Sequence, residues 1–357
     1  MFKKYEVTII VFLLSIILLS CGSSNTESTS PVIVTETSVE ETPTTPTVPT
    51  DPNTEDTVVS LHGQLHIEGT KILDQNNNEV QLRGMSFFWS QWIGEFYTPQ
   101  TVRWLKEDWQ CTIVRAAMAV EDSEGYITNP ETEKNKVFTV IDAAIAEGIY
   151  VIVDWHSHHA EDYEEQATTF FSEVAQKYGD RPNIIYEIYN EPLDVSWDNV
   201  LKPYHEAVLA EIRKYDPDNI VVCGTRNWSQ NVDDVIGNEI DDENVAYTLH
   251  YYATTHKQEL RDTAQEALDN NIALFVTEFG TTDASGDGFI DIQEANTWWE
   301  FLDENKISWC NWSIADKDES SAALLPNSST TGNWNASDLT QSGTMVREEL
   351  KSKNPQF

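Results

Sequence analysis

Short apolar runs alternate along most of the chain with longer segments in which apolar residues recur every three or four positions. The runs are rich in Ile, Val, Tyr and Phe and cover residues 81–88, 112–118, 150–156, 184–191, 219–225, 245–252, 273–280 and 308–314. Continuous apolar runs of this kind are typical of strands buried on both faces of a parallel sheet. We therefore predict eight parallel strands between residues 81 and 314.

The segments between the runs have the apolar spacing of amphipathic helices that cover a sheet. They cover residues 99–109, 134–147, 164–178, 198–215, 257–270 and 292–305. This alternation predicts an α/β fold, a (β/α)8 TIM barrel, with a short N-terminal β-hairpin formed by residues 63–74 and 79–82 around a turn at 75–78. An open, doubly wound sheet is the alternative, but no glycine-rich dinucleotide loop follows the first strand.

The first residues have the pattern of an export signal. Lys3 and Lys4 precede an apolar stretch over residues 7–19, which is too short for a membrane-spanning helix and ends just before Cys21. This pattern resembles the bacterial lipoprotein signal, which implies a signal peptide over residues 1–20, cleavage before Cys21 and a lipid on its thiol. An ordinary secretory signal that happens to contain a cysteine is the alternative.

The segment after Cys21 has the composition of a tether. Up to residue 57 it consists mostly of Ser, Thr, Pro, Val and Glu, with no Lys or Arg, so it cannot bury enough apolar surface to fold. Its prolines and repelling charges extend it. We expect residues 21–57 to link a folded domain, residues 58–357, to the surface or outer membrane of a bacterium, with membrane contact only through the lipid.

The composition limits the classes of partner. The chain has 60 acidic and 22 basic side chains and a net charge of −38, which repels nucleic acid and anionic lipid and is more compatible with a neutral polymer. Most of the charge is explained by solubility. Cys111, Cys223 and Cys310 lie in or beside apolar runs, so we expect buried thiols rather than zinc ligands, with one disulfide pair as the alternative.

Polar and aromatic residues collect where the predicted strands end. Two runs end in carboxylates, at Glu191 and Glu278, and the other exits carry Phe88, Trp92, Arg115, His156, Trp228, His250, Tyr252 and Trp312. A barrel gathers the carboxyl ends of its strands at one rim. Rings that stack on sugars beside two carboxylates predict a carbohydrate site with acid–base chemistry. Taken singly, Trp92 or Trp312 could belong to the core, and His156 could be a structural imidazole.

The motifs at these exits, taken in order, resemble glycoside hydrolase family 5, and most of all its bacterial endo-β-1,4-glucanases. The resemblance spans residues 60–350 and rests on residues 82–86, 114–115, 154–156, 188–192, 224–225, 228–230, 248–252, 277–280 and 311–314, of which Asn190-Glu191-Pro192 and Glu278 are the most specific. It implies a retaining glycosidase with Glu191 as acid/base and Glu278 as nucleophile. In such enzymes the two carboxyl groups stand about 5–5.5 Å apart.

The resemblance also implies roles for the surrounding residues. Arg115 orients Glu278, Asn190 binds the sugar 2-hydroxyl, His156 and His250 bind substrate or position the carboxylates, and Tyr252 lies near the nucleophile. Trp92, Trp312, Lys317 and Glu319 line the non-reducing side and Trp228 the leaving-group side, although Lys317 and Glu319 alone could be a solvated charge cluster. Phe88 stands where many relatives have a histidine, so one sugar hydrogen bond becomes an apolar contact.

The loop after Glu278 has the spacing of a calcium loop. Oxygen-bearing side chains at Asp283, Ser285, Asp287, Asp291 and Glu294 match the ligand positions of an EF-hand, but the preceding element is a strand and acid-rich loops often imitate this pattern. We expect an ordinary loop, with calcium as the alternative. A metal site at His156-Ser157-His158-His159 is disfavoured because His156 already has a role.

The sequence therefore predicts a retaining, endo-acting hydrolase of β-1,4-glucosidic bonds in cellulose and related β-glucans. It is expected to be a monomer that needs no cofactor. The same chemistry on mannan, xyloglucan or mixed-linkage glucan remains open, because loops decide the substrate. A surface lipoprotein that binds polysaccharide without cleaving it is the alternative of another class, although a binding protein does not need both glutamates.

Overall fold

We describe the protein from a computed structural model in which residues 56–121 and 123–357 are described. The predicted signal peptide, Cys21 and all but the last two residues of the predicted tether lie outside these residues. Within the described part, no helix has the length and apolar character needed to cross a membrane.

Eight parallel strands form a closed barrel, as predicted. A two-stranded antiparallel sheet, β1 and β2, precedes the barrel, whose strands follow in chain order as β3–β10 with β10 hydrogen-bonded to both β9 and β3. The strands are β1 His66–Glu68, β2 Lys71–Leu73, β3 Arg83–Phe87, β4 Ile113–Ala119, β5 Tyr150–His156, β6 Ile184–Glu187, β7 Val221–Cys223, β8 Val245–Tyr252, β9 Leu274–Gly280 and β10 Trp309–Ile314.

One short helix precedes the barrel and the others follow its strands, with the long ones covering the outside of the barrel. They are α1 Val58–His62, α2 Pro99–Glu107, α3 Pro130–Glu147, α4 Glu164–Tyr178, α5 Lys202–Ile212, the single turn α6 Arg226–Ser229, α7 Gln258–Asp269, α8 Ile292–Asn305 and α9 Gln341–Lys353. Helix α3 illustrates why: Val137, Ile141 and Ala144 lie on one buried face that packs on β4 and β5. Burying each large aliphatic side chain contributes about 1.5–3 kcal/mol.

The boundaries differ from the predictions at several places. The N-terminal hairpin turns between Glu68 and Lys71 rather than at 75–78, where only a single bridge joins Leu73 to Glu79. Helix α3 begins at Pro130, four residues before the predicted start, because proline is well tolerated in the first turn. The segment 198–215 begins with the π-helical turn Trp197–Leu201. Helices α1 and α9 were not predicted.

The interior confirms the interpretation of the apolar runs. Every residue of β4, β5, β9 and β10 is buried. Among the described residues, Cys111, Cys223 and Cys310 are buried free thiols, as expected. The barrel thus holds polar residues at fixed positions within strands that are otherwise apolar.

Candidate active site

Two glutamates meet at the carboxyl-terminal rim of the barrel. Glu278 lies on β9, and Glu191 lies four residues beyond the end of β6. One oxygen of each carboxylate and one nitrogen of His250 all lie within 4.8 Å of one another. The strand ends therefore bring together two side chains that are 87 residues apart in the sequence.

Glu278 is held by one guanidinium and one phenol. Arg115 Nη1 donates to Glu278 Oε2 at 2.9 Å, and the Tyr252 hydroxyl donates to Glu278 Oε1 at 2.8 Å. The Tyr252 ring lies against Gly280, where a Cβ atom would come within 2.3 Å of the ring. Glycine at this position therefore lets the phenol reach the carboxylate.

Arg115 is the centre of a buried charge cluster. Its side chain is 0% exposed, and it also binds Glu187 through Nε at 2.7 Å and Asp154 through Nη2 at 2.9 Å. One guanidinium thus faces three carboxylates. Burial raises the pKa of Asp154 to about 7 against the opposing charge of Arg115, and burial likewise raises the pKa of Glu187. The cluster fixes Arg115 and, through it, Glu278.

Glu191 has a different environment, made of two imidazoles. His250 Nδ1 lies 2.9 Å from Glu191 Oε1, and His158 Nε2 lies 3.1 Å from Glu191 Oε2. Burial raises the pKa of Glu191, but the hydrogen bonds from His158 and His250 outweigh burial and lower it below its usual range. The two hydrogen bonds thus favour the ionised form of this carboxylate.

Asn190 beside the two glutamates has one buried donor without a partner in the described residues. Its Oδ1 accepts from Arg115 Nη2 at 2.6 Å, so the amide orientation is fixed. Its buried Nδ2 finds no partner among residues 56–121 and 123–357. An orphaned buried donor costs free energy, so a bound molecule with a suitable acceptor would be favoured here.

His156 packs against two aromatic rings and also makes a polar contact. Its ring stacks on Trp312 at 5.2 Å and meets the edge of Trp89 at 4.2 Å, while Nδ1 lies 2.6 Å from Asp154 Oδ2. Burial and the nearby charge of Arg115 lower the pKa of His156 well below its usual range. A neutral imidazole therefore continues the apolar surface of Trp312.

The two glutamates lie where two cavities meet. The first is a cavity of about 590 Å³, and its lining includes His158, Glu191, Trp228, His250, Tyr252 and Glu278. A second cavity of about 230 Å³ shares His158, Glu191, Tyr252 and Glu278 and adds Phe88, Trp89, Trp92, Trp312, Lys317 and Glu319. The carboxylates thus stand in the middle of a groove with an aromatic end.

The aromatic end contains most of the predicted sugar platform. Phe88 and Trp312 are buried with ring centroids 5.1 Å apart, and Trp92 is 52% exposed. Lys317 lies over the Phe88 ring at 5.2 Å and is ion-paired with Glu319. All five residues share one cavity, so Lys317 and Glu319 belong to the groove instead of being an isolated solvated pair.

The opposite end presents Trp228 from a strained turn. Asn227, Trp228 and Ser229 all have positive φ, at 61°, 56° and 54°, a conformation that costs side-chain-bearing residues free energy. The turn is held because Trp228 N donates to Pro192 O at 2.8 Å and the Ser229 hydroxyl donates to Asn190 O at 2.8 Å. The indole, 45% exposed, is therefore tied to the segment that carries Glu191.

Several contacting residues were not identified from the sequence. They are Trp89, Asp154, His158, Glu187 and Thr277, all in contact with a predicted site residue. His158 lies two residues after the end of β5, a position that indicates a site residue. It is one of three histidines in the cluster His156-Ser157-His158-His159, so the sequence did not single it out. Asp154, Glu187 and Thr277 lie inside apolar runs, where a polar residue indicates a buried partner.

The proposed calcium loop uses its carboxylates for other contacts. Asp291 caps α8 and pairs with Lys257 at 3.0 Å, and Glu294 pairs with Arg261. Asp283 accepts hydrogen bonds from Ser285, and Asp287 accepts one from Ser320 N at 3.1 Å. Two of the five candidate ligands, Asp291 and Glu294, thus form ion pairs with basic side chains.

In the described part of the chain, one group of potential metal ligands is close enough to share an ion: Glu191, His250 and Glu278. Glu278 already binds the Arg115 guanidinium and the Tyr252 hydroxyl. A fixed cation in this position competes with a metal ion for the same carboxylate. The arrangement is better suited to proton and group transfer by the two carboxylates.

Comparisons with known proteins agree with this geometry. Residues 73–318 match the family model described as cellulase (glycosyl hydrolase family 5). Endoglucanase Z of Dickeya dadantii is 48% identical over 81% of this chain, and Endoglucanase A of Evansella cellulosilytica is 48% identical over 76%. The chain spans 66% and 56% of the lengths of these two relatives.

A solved structure resembles the fold closely. The catalytic domain of Thermobifida fusca endoglucanase Cel5A in complex with cellotetraose superimposes with a TM-score of 0.79 at 36% identity, covering 83% of this chain and all of that one. Residues 73–318, which the family model matches, contain both glutamates, Arg115, Asn190, Phe88, Trp92 and Trp312. This chain belongs to glycosyl hydrolase family 5.

Proposed function

We propose that the protein is a retaining, endo-acting glycoside hydrolase that cleaves β-1,4-glucosidic bonds in cellulose and related β-glucans. The observation that carries the proposal is the separation of Glu191 and Glu278, whose nearest ligating oxygens lie within 4.8 Å. Retaining glycosidases have carboxyl groups about 5–5.5 Å apart, whereas inverting ones leave a wider gap for a water molecule. The short gap favours a covalent intermediate on one of the two glutamates.

Glu278 is the proposed nucleophile. Arg115 and Tyr252 leave its carboxylate oriented and charged, so an oxygen can attack the anomeric carbon as the glycosidic bond breaks. Glu191 protonates the leaving oxygen in the same step. The leaving sugar departs over Trp228, and the remaining sugar is held as an ester on Glu278.

Water completes the reaction in the second step. Glu191, now a carboxylate, accepts a proton from water as the water oxygen attacks the anomeric carbon and the ester bond to Glu278 breaks. The configuration at the anomeric carbon is thereby retained. Asn190 Nδ2 is the proposed donor to the sugar 2-hydroxyl, a contact that strengthens as the oxocarbenium-like charge develops.

The groove supports a chain-like substrate. Apolar surface from Phe88, Trp92 and Trp312 on one side and Trp228 on the other can stack on successive sugar faces. Cleavage in the middle of a chain requires sugar positions on both sides of the carboxylates. The relative solved with cellotetraose supports a β-glucan as the ligand of this groove.

Product analysis tests the activity and the substrate class together. Soluble cellulose derivatives, mixed-linkage glucan, xyloglucan and mannan are incubated with the protein, and early products are sized. We expect the fastest cleavage with β-1,4-glucan, with oligomers of mixed length and products that first appear as the β-anomer in ¹H NMR. Mainly cellobiose would contradict endo action, the α-anomer would contradict retention, and faster cleavage of mannan would contradict the substrate.

We also propose that the protein is exported and held at the bacterial surface by a lipid on Cys21. The support is the basic and apolar start of the chain and the cysteine that follows it. Cells that express the full chain are labelled with radioactive palmitate and fractionated, with Cys21→Ser as the matched variant. We expect label and membrane association only with the cysteine. An unlabelled protein in the medium would contradict the proposal.

A further inference from the structure

A series of hydrogen-bonded side chains continues from Glu191 into the barrel. His250 contacts Glu191 Oε1 through Nδ1 at 2.9 Å and Thr277 Oγ1 through Nε2 at 2.8 Å. The Thr277 hydroxyl in turn donates to Glu187 Oε1 at 2.6 Å. His250, Thr277 and Glu187 are all buried, so water does not substitute for these bonds.

The number of hydrogens that this series of side chains can donate decides the tautomer of His250. A threonine hydroxyl has one hydrogen to donate, and here it is directed to Glu187, whose two oxygens also accept from Arg115. Thr277 Oγ1 can therefore only accept from His250, so Nε2 must carry a hydrogen. When His250 is neutral, its Nδ1 then presents a lone pair to Glu191.

A carboxylate and a lone pair at 2.9 Å require one proton between them. That proton belongs to the pair, whichever of the two atoms holds it at a given moment. Since Nε2 keeps its own hydrogen, the labile proton of His250 is always the one that faces Glu191. The geometry thus connects the proton of the imidazole to the carboxylate that needs it.

We propose that Thr277 is a positioning residue that locks the His250 tautomer, so that His250 and Glu191 together, and not Glu191 alone, form the acid/base. This inference rests on the proposed function. It explains how a carboxylate held by two imidazoles can still act as an acid. Thr277 itself does not touch the substrate position, and it acts only through His250.

The proton balance closes over one turnover. In the first step Glu191 transfers the shared proton to the leaving oxygen, and the pair is left as a carboxylate facing the Nδ1 lone pair. That arrangement is unfavourable, so it makes Glu191 a strong base. In the second step water gives up a proton to Glu191, its oxygen bonds to the anomeric carbon, and the shared proton is restored.

Other titratable groups face the pair from the neighbouring elements. Their charges set the pH range in which the shared proton is lost, and Thr277→Val leaves all of them in place. They are His158 after β5, Glu278 on β9, Tyr252 on β8, His256 after β8, Asp154 on β5, and Arg115 on β4 with its partner Glu187 on β6. Of these groups, only Glu187 loses a hydrogen bond in Thr277→Val, and Thr277→Ser keeps that bond.

Tautomers can be observed directly. Histidine-¹⁵N-labelled protein contains eight histidines, and His250 is assigned by comparison with His250→Asn. At a pH where His250 is neutral, we expect a protonated Nε2 and an unprotonated Nδ1 in the long-range ¹H–¹⁵N spectrum. A protonated Nδ1 would overturn the proposal. This measurement needs no activity, so it remains informative even if the substrate assignment is wrong.

The pH profile tests the consequence. In Thr277→Val, His250 loses its Nε2 acceptor and can place its hydrogen on Nδ1, where it stabilises ionised Glu191. We expect the alkaline limb of kcat/KM on a soluble β-glucan to move down by about one pH unit. Thr277→Ser should restore the wild-type profile. On an aryl cellobioside with a strongly acidic phenol, Thr277→Val should lose less of its first-step rate, because that leaving group needs no proton.

Thr248→Val is the matched control. Thr248 is a buried threonine on the neighbouring strand β8, and its hydroxyl has no partner in the described residues. We expect this variant to keep the wild-type limb. An unshifted limb in Thr277→Val, an equal shift in Thr248→Val, or failure of Thr277→Ser to restore the profile would overturn the proposal. If no β-glucan is cleaved by the wild type, the proposed function fails while the tautomer measurement still stands.

Discussion

The surroundings of Glu278 and of Glu191 differ in one respect that separates their roles. Glu278 is 6% exposed and is held by the permanent charge of Arg115, which is itself fully buried. Glu191 is 15% exposed and is held by the imidazoles of His158 and His250. One carboxylate thus contacts a fixed charge, and the other contacts two imidazoles.

This difference fits the demands of double displacement. A nucleophile must stay ionised and oriented through the first step, which suits a guanidinium that is itself fixed by Asp154 and Glu187. An acid/base must alternate between two protonation states in each turnover. Single substitutions can change one environment and leave the other in place.

Removal of the nucleophile should have the largest effect. We expect Glu278→Gln to lower kcat on soluble β-glucan by about 10⁴-fold or more, because the amide cannot form the ester intermediate. The fold and oligosaccharide binding should persist in circular dichroism and calorimetry. Glu266→Gln, an exposed position on α7, is the control and should keep full activity. Comparable activity of the two variants would refute the role of Glu278.

Removal of the acid/base should depend on the leaving group. Glu191→Gln should lower kcat/KM on β-glucan by about 10²–10⁴-fold, the usual contribution of general acid catalysis. With an aryl cellobioside whose phenol is strongly acidic, the first step should be nearly unaffected, giving a burst of phenol followed by slow turnover. Stopped-flow absorbance measures both phases. An equal loss on both substrates would contradict the assignment of the acid role.

Removal of the fixed charge should affect stability. Arg115→Met leaves three buried carboxylates without their cation, and we expect the free energy of unfolding to fall by about 3–5 kcal/mol. Arg103→Met is the control, since the Arg103 side chain is 63% exposed and its ion pairs are worth little. Denaturant unfolding at neutral pH measures both. Similar losses in the two variants would show that the buried cluster has no special weight.

Removal of the second imidazole should have the smallest effect, and one that depends on pH. Burial disfavours charge on His158, but its hydrogen bond to Glu191 outweighs burial and raises its pKa. A group whose folded pKa is raised stabilises the fold below its unfolded pKa, near 6.5, and this contribution is lost as the pH rises through the folded value. The stability difference between wild type and His158→Asn should therefore be larger at pH 5.5 than at pH 8.

The neighbouring His159 supplies the control for this experiment, because its side chain is exposed. Urea unfolding of His158→Asn and His159→Asn is compared with wild type at both pH values. We expect pH dependence only for His158→Asn. A difference for His158→Asn that is the same at both values, or larger at pH 8, would contradict the interaction with Glu191.

The sequence was sufficient to predict the barrel and the two glutamates, for a physical reason. A parallel strand buried on both faces is mostly apolar, so the end of the apolar run can be recognised in the sequence, and so can a carboxylate at that end. Glu278 within β9 and Glu191 after β6 were found in this way. Strand lengths were less predictable: β7 covers only Val221–Cys223 of the run 219–225, because an apolar run does not reveal where the hydrogen bonds to the neighbouring strands stop.

Contacts that depend on loop paths and on distant partners could not be predicted. His158 reaches Glu191 because its backbone N–H is fixed by Glu121 Oε1 at 2.7 Å, a contact that no local pattern reveals. Thr277 looks like an ordinary strand residue until Glu187 and His250 are placed beside it. The spacing of the oxygen-bearing side chains matched a calcium loop, but Lys257 and Arg261 from another part of the chain form ion pairs with two of the carboxylates.

Trapping the covalent intermediate tests the central claim most directly, namely that Glu278 is the nucleophile and Glu191 is not. The protein is incubated with a 2-deoxy-2-fluoro-β-cellobioside that carries a dinitrophenolate leaving group, so that the ester forms and is hydrolysed slowly. We expect the intact mass to rise by one fluorocellobiosyl group and peptide mapping to locate it on Glu278. A label on Glu191 or elsewhere, or a protein that releases dinitrophenolate without ever being labelled, would contradict the account.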